Sequence, residues 1–184
     1  DVEIQTCNPS VETIQSAITE RTKVIIVQNT FGLSSDVDQV TQWAKSKGIF
    51  TIEDCTHGFG GTYKGVPNGS YCDAAIYSTQ WNKPFSTGVG GFAIVNNSLL
   101  VNSILQVNKE LVFPSFFESV QLKALILFNN LFLNDTTYWF LLSLYRGLSR
   151  AGLVIGSSSR NEIEGITIAK DYFKAASSVQ FKAG

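Results

Sequence analysis

The feature that most constrains this chain is an alternation within its first sixty residues. Lys23–Gln28 (KVIIVQ) is a β-branched run, and Ile49–Cys55 (IFTIEDC) is another. Between them Val37, Val40, Trp43 and Ala44 recur at helical spacing, with Asp36 placed to cap the helix and Gly48 to end it. Two apolar strands joined by one amphipathic helix over about thirty residues predict a right-handed βαβ unit, hence a mostly parallel sheet in an α/β fold. Upstream, Val11, Ile14, Ala17 and Ile18 predict a helix over Pro9–Glu20, capped by Ser10 or Asn8. Downstream, Ala74–Thr79 and Gly91–Val95 read as short strands, Gly58–Gly69 as glycine-rich loop and Ser98–Lys109 as helix.

The character changes after Leu111. The segment Leu111–Ile155 is strongly apolar and reads as helices with a break near Asn134–Thr137. Its longest uncharged run, Ala124–Asn134, is too short to span a bilayer, so buried helices or a subunit contact are expected before a membrane-surface helix. Gly156–Arg160 reads as a linker and Ile168–Phe181 as a further helix. The expected division is 1–110, an α/β portion; 111–155, an apolar helical insert; and 156–184, a linker with the start of a further segment.

Composition narrows the class. With 44% hydrophobic and 16% charged residues the chain suits a buried globular core. A net charge of −1 gives no basic surface for nucleic acid. Three cysteines without a CxxC pair argue against a disulfide framework and for a reducing, cytoplasmic setting. No basic stretch followed by an apolar run opens the chain, so no signal peptide is expected, and the absence of methionine suggests a piece of a longer chain or a processed form.

Ligands of open α/β sheets sit beyond the carboxyl ends of the strands. Asp54 and Ser78 fall at two such ends, and Lys83 follows in the next loop. An acid, a hydroxyl and an amine suit a cofactor with a cationic ring nitrogen, a phosphate and an aldehyde. Each is weak alone, since a strand-end Asp is commonly a turn residue and a lone Lys a solvated charge. His57 with Cys55 and Cys72 falls short of the four ligands of a structural zinc site, so no metal is expected.

The stretch Glu53–Phe92, EDCTHGFGGTYKGVPNGSYCDAAIYSTQWNKPFSTGVGGF, resembles the core signature of the DegT/DnrJ/EryC1/StrS family of sugar aminotransferases, enzymes of the pyridoxal-phosphate (PLP) fold type I. Glu53, Asp54, His57, Gly61, Tyr63, Gly65, Gly69, Asp73, Ser78, Lys83, Thr87, Gly88, Gly90 and Gly91 stand in matching places. TKVIIVQNTFG (Thr22–Gly32) is similar to the strand and turn before them. Likeness extends from Asp1 to about Asn97 and returns weakly at Ala175–Gly184. Val89 departs from the glutamate common in the family.

The resemblance implies a three-layer α/β/α large domain with truncated ends, and a homodimer that shares its active sites. It makes Lys83 the lysine that carries the cofactor and Asp54 the partner of the ring nitrogen. Ser78, with help from Asn82, would contact the phosphate, and His57 the phenolic oxygen. The implied reaction is transamination of a keto sugar on a nucleotide, with glutamate as amino donor. A PLP-dependent sugar dehydratase is the alternative within the family, although the dehydratases replace the lysine. A non-catalytic regulator or scaffold of the same fold is the alternative outside enzymology.

Overall fold

A computed structural model describes residues 2–81, 83, 85–151 and 174–183. They fall into two compact units, 1–85 with 91–104, and 86–90 with 105–184.

The first unit is an α/β layer built on a mostly parallel sheet. Its strands are β1 (Val24–Gln28), β2 (Phe50–Asp54), β5 (Ala74–Ser78) and β6 (Gly91–Val95), in the order β1-β2-β5-β6. β1, β2 and β5 run parallel, and β6 pairs antiparallel with β5 at the edge. The strand at Gly91–Val95 is legible in the sequence; its direction is not, because pairing partners are set by the chain's return path.

α2 (Val37–Ser46) covers one face of the sheet. Val37, Val40 and Ala44 sit on its buried stripe against Ile25 and Val27. Each fully buried valine contributes about 1.5–3 kcal/mol relative to an exposed one. Gly48, at φ +68, ends the helix, with the amides of Gly48 and Ile49 taken by the carbonyls of Lys45 and Ala44. Asp36 holds the N-cap place without capping: its carboxylate oxygen instead lies 2.9 Å from the Tyr63 hydroxyl.

α1 (Val11–Ala17) is shorter than periodicity predicts. Ser10 caps it, its Oγ accepting from the Thr13 amide at 3.3 Å. The helix stops at Ala17 because Thr19 and Thr22 fold the next residues into a turn, with Thr22 Oγ1 accepting from the Thr19 amide at 3.1 Å. The Gly58–Gly69 loop also holds more order than expected. Inside it, β3 (Thr62–Tyr63) and β4 (Val66–Pro67) form a minimal hairpin whose turn residues, Lys64 and Gly65, both have positive φ.

The second unit is helical. α3 (Ser98–Lys109) bridges the two units in sequence, and α4 (Phe116–Phe132) and α5 (Tyr138–Arg150) follow, broken near Asn134 as the sequence predicts. The predicted linker at Gly156–Arg160 lies outside the described residues. The predicted helix over Ile168–Phe181 needs correction where it is described: Lys174 bridges to Val112, the Ala175 amide donates to the Val112 carbonyl at 2.9 Å, and helix α6 starts only at Ser178 (Ser178–Ala183). A strand-like contact with a residue sixty-two positions away overrides local periodicity there. No helix among the described residues is long and apolar enough to cross a membrane.

Candidate functional site at the carboxyl edge of the sheet

Asp54 is the last residue of β2 and Ser78 the last of β5. The parallel register pairs Asp54 with Ile76, so Ser78, two residues on, shares its face and its edge of the sheet. Asp54 is half-buried. Its Oδ1 accepts from the Thr56 amide at 2.9 Å, a local turn that fixes the carboxylate; Oδ2 has no partner among the described residues. Ser78 Oγ accepts from the Gln80 amide at 3.4 Å, which leaves its hydroxyl hydrogen to be donated.

Lys83 follows in the loop that leaves the same edge. Its amide donates to the Gln80 carbonyl at 3.0 Å, closing a tight turn, and its side chain is half-buried. His57 lies in the turn after β2 and is exposed. Asn82, the other residue singled out from sequence, lies outside the described residues. Topology therefore places Asp54, Ser78, His57 and the Lys83 turn at one edge.

Two groups of residues at this edge escape a reading by sequence. The first is aromatic. Phe59 stacks on Phe85 at 5.3 Å and meets Tyr77 edge-on at 5.9 Å, while Tyr77 stacks on Phe92 at 4.6 Å. This cluster gives the turn after β2 and the lysine loop an apolar wall. Gly91 lets β6 join it: a Cβ there would lie 2.2 Å from the Tyr77 carbonyl oxygen. The sequence signal was available, as aromatic residues interrupt otherwise glycine-rich loops.

The second group is polar and buried. Asn29 donates through Nδ2 to Glu53 Oε1 at 2.8 Å. Ser34 Oγ donates to Asn68 Oδ1 at 2.8 Å, Asn68 Nδ2 to the Gly58 carbonyl at 3.1 Å, and the Tyr77 hydroxyl to the Asn68 carbonyl at 2.7 Å. A Cβ on Gly58 would meet the side-chain amides of Asn29 and Asn68 at 2.9 Å, so the turn packs directly on them. Its signal was Glu53 itself, a carboxylate at the parity of β2 that also carries buried Thr51.

Cys55 and Cys72 are buried thiols. Burial, and then the Glu53 carboxylate, push the Cys55 thiol far above its ordinary range, which keeps it protonated and unreactive. Burial raises the Cys72 thiol too. Among the described residues no group of three or more His, Cys, Asp and Glu side chains is arranged to hold a metal ion. A cavity of about 330 Å³ lined by Ile18, Thr22, Trp43 and Ile49 lies where β1 and β2 begin, at the opposite edge of the sheet from these groups.

Comparison with known proteins converges on the same half of the chain. The model of the DegT/DnrJ/EryC1/StrS aminotransferase family matches residues 1–111. A GDP-perosamine synthase of Escherichia coli O157:H7 is 36% identical over 105 residues, 57% of this chain and 29% of that protein. An L-glutamine:2-deoxy-scyllo-inosose aminotransferase of Streptomyces fradiae is 32% identical over 104 residues, 56% of this chain and 24% of its own length. Among solved structures, the aminotransferase from Psychrobacter cryohalolentis superposes with a TM-score of 0.57 at 30% identity, over 60% of this chain and 28% of the other. The chain thus spans less than a third of the length of these relatives.

Proposed function

Because the chain belongs to the DegT/DnrJ/EryC1/StrS aminotransferase family, we propose that it supplies the cofactor edge of a PLP-dependent aminotransferase acting on a keto sugar carried by a nucleotide. The observation that carries this reading is the state of Asp54: one carboxylate oxygen is fixed by the Thr56 amide, and the other is left for a ligand at the edge it shares with Ser78 and the Lys83 turn. Such an edge fits the cofactor, whose ring nitrogen wants a carboxylate, whose phosphate wants donors and whose aldehyde wants an amine.

Bound there, PLP supplies an electron-withdrawing ring that stabilises negative charge at the substrate carbon. Asp54 would keep a proton on the ring nitrogen; two opposite charges about 4 Å apart attract by roughly 4 kcal/mol at an effective dielectric of 20, before desolvation is subtracted. Ser78 would donate to the phosphate, and His57 would orient the phenolic oxygen. The Lys83 amine would hold the cofactor through its aldehyde and, when free, would serve as the base that moves a proton at the substrate carbon. Phe59 and Phe85 keep water from the lysine loop. Asn82 would add a second phosphate contact.

The sugar-nucleotide substrate is supported by likeness to a GDP-perosamine synthase, and glutamate is the proposed donor. A cytoplasmic homodimer with shared sites completes the proposal. The test is spectroscopic. The full chain, loaded with PLP, should show a visible absorbance band that borohydride removes. Lys83→Ala should lose that band and all turnover while melting at the wild-type temperature. A wild-type band that survives in Lys83→Ala, or no band at all in wild type, overturns the assignment.

A further inference from the structure

Among the described residues, Glu53 is the one acidic side chain with no exposed surface, and nothing in the chemistry above uses it. One oxygen, Oε1, accepts from Asn29 Nδ2 at 2.8 Å; the other, Oε2, is buried with no partner among the described residues. An unsatisfied buried carboxylate oxygen costs stability. It stands next to Asp54 in the sequence, on the opposite face of β2.

Asn29 links the two acids. Its main-chain amide donates to the Asp54 carbonyl at 3.1 Å, while its side chain holds Glu53. Its Oδ1 accepts from the Ser35 amide at 3.3 Å, and Nδ2 also lies 3.6 Å from Cys55 Sγ. Asn29 therefore grips the end of β2, the start of the turn that carries His57, and the loop after β1. The side-chain amide can do this in only one of its two orientations: Nδ2 toward Glu53 and Oδ1 toward Ser35. Glu53 Oε1 accepts here, and only that orientation meets it with a donor. A glutamine at 53 presents both a donor and an acceptor, and lets Asn29 flip.

We propose that Glu53 is a positioning residue, locking the Asn29 amide so that the Asp54 carboxylate and the His57 turn keep their places at the carboxyl edge. The inference rests on the cofactor reading above. Its test is a swap in the full chain, read by PLP affinity and by the pH midpoint of the visible band, neither of which a purely structural role would move.

Asn29→Asp sets a second carboxylate against Glu53 and should weaken PLP binding about tenfold or more and shift the midpoint. Glu53→Gln alone should cost about two- to threefold, through partial flipping. In Glu53→Gln/Asn29→Asp the glutamine amide donates to an acceptor-only partner that still receives the Ser35 amide, and affinity should return to within about twofold of wild type. Where Asn29→Asp does not fold, the same contrast is read between the swap and Glu53→Gln/Asn29→Ala, which holds no pair and should bind about tenfold more weakly.

A swap as impaired as Asn29→Asp overturns the proposal, as does an Asn29→Asp protein with lowered melting temperature but wild-type affinity and midpoint. In the second contrast, equal affinities overturn it. A wild-type protein with no band sinks the cofactor reading and this inference together; a wild-type band with indifferent variants sinks this inference alone.

Discussion

α2 and α4 are both helices with many apolar residues, and they bury them to opposite degrees. Val37, Val40 and Ala44 of α2 are fully enclosed, with Asp38, Gln39 and Lys45 turned elsewhere. α4 is the longer, yet Leu122 is its one buried residue, and Phe116, Phe117 and Leu131 are 87, 75 and 65% exposed. The difference lies in how apolar residues are distributed round each helix. In α2 they form one stripe, which one sheet face can cover. In α4 they run all round, so any single neighbour leaves most of them out. The first unit has a core of its own. Among the described residues of the second, α4 is capped by Ser115 and pairs Glu118 with Lys174 while burying Leu122 alone.

The sharpest way to break that contrast is to place a charge in each core position in turn. Val40→Asp buries an unpaired carboxylate and should remove more than about 4 kcal/mol from the unfolding free energy, enough to unfold the first unit. Denaturant unfolding followed by circular dichroism measures it. A loss below about 1 kcal/mol would mean that α2 is not packed as described.

The same contrast explains what could be read beforehand. The βαβ unit and the strand-end places of Asp54 and Ser78 were legible because one-sided burial writes a period into the sequence. The break between α4 and α5 was legible because Asn134 and Thr137 prefer to bond nearby backbone, as they do here: the Asn134 Oδ1 accepts from the Thr136 and Thr137 amides. What escaped was set by distant partners. Nothing near Ala175 announces that Val112 will take its amide. Nothing near Glu53 announces Asn29, twenty-four residues upstream. The hairpin inside the glycine loop escaped because Lys64 adopts a left-handed backbone that glycine usually supplies.

Caps should matter more than surface apolar residues in the second unit. Ser115 opens α4 with a capping box: its Oγ accepts from the Glu118 amide at 3.3 Å, and the Glu118 carboxylate accepts from the Ser115 amide at 2.8 Å. Ser115→Ala should cost about 1 kcal/mol, seen as a lower unfolding midpoint of the helical signal. Leu131→Gln, at an exposed site on the same helix, should stay within about 0.5 kcal/mol of wild type. A Leu131→Gln loss exceeding that of Ser115→Ala would reverse the ranking and show that α4 is held by burial after all.

The smallest expected effect is a pH dependence, and its sign follows from Glu118. Lys174, and then the Ser115 amide, hold the Glu118 carboxyl down to about 2, below its ordinary value of 4.5. A carboxyl whose folded value is depressed binds its proton more readily in the unfolded chain. Its contribution is therefore complete above about pH 4.5 and is lost as pH falls toward 2. The Lys174 and Glu118 side chains are 34% and 30% exposed, so solvent screens the pair and the contribution stays at a few tenths of a kcal/mol. Wild type and Glu118→Gln should differ in melting temperature near neutrality and converge in acid. A gap that persists unchanged to the acid limit would locate the stabilisation in packing at the α4 terminus rather than in the charge, and would bring the second unit closer to the first than their burial suggests.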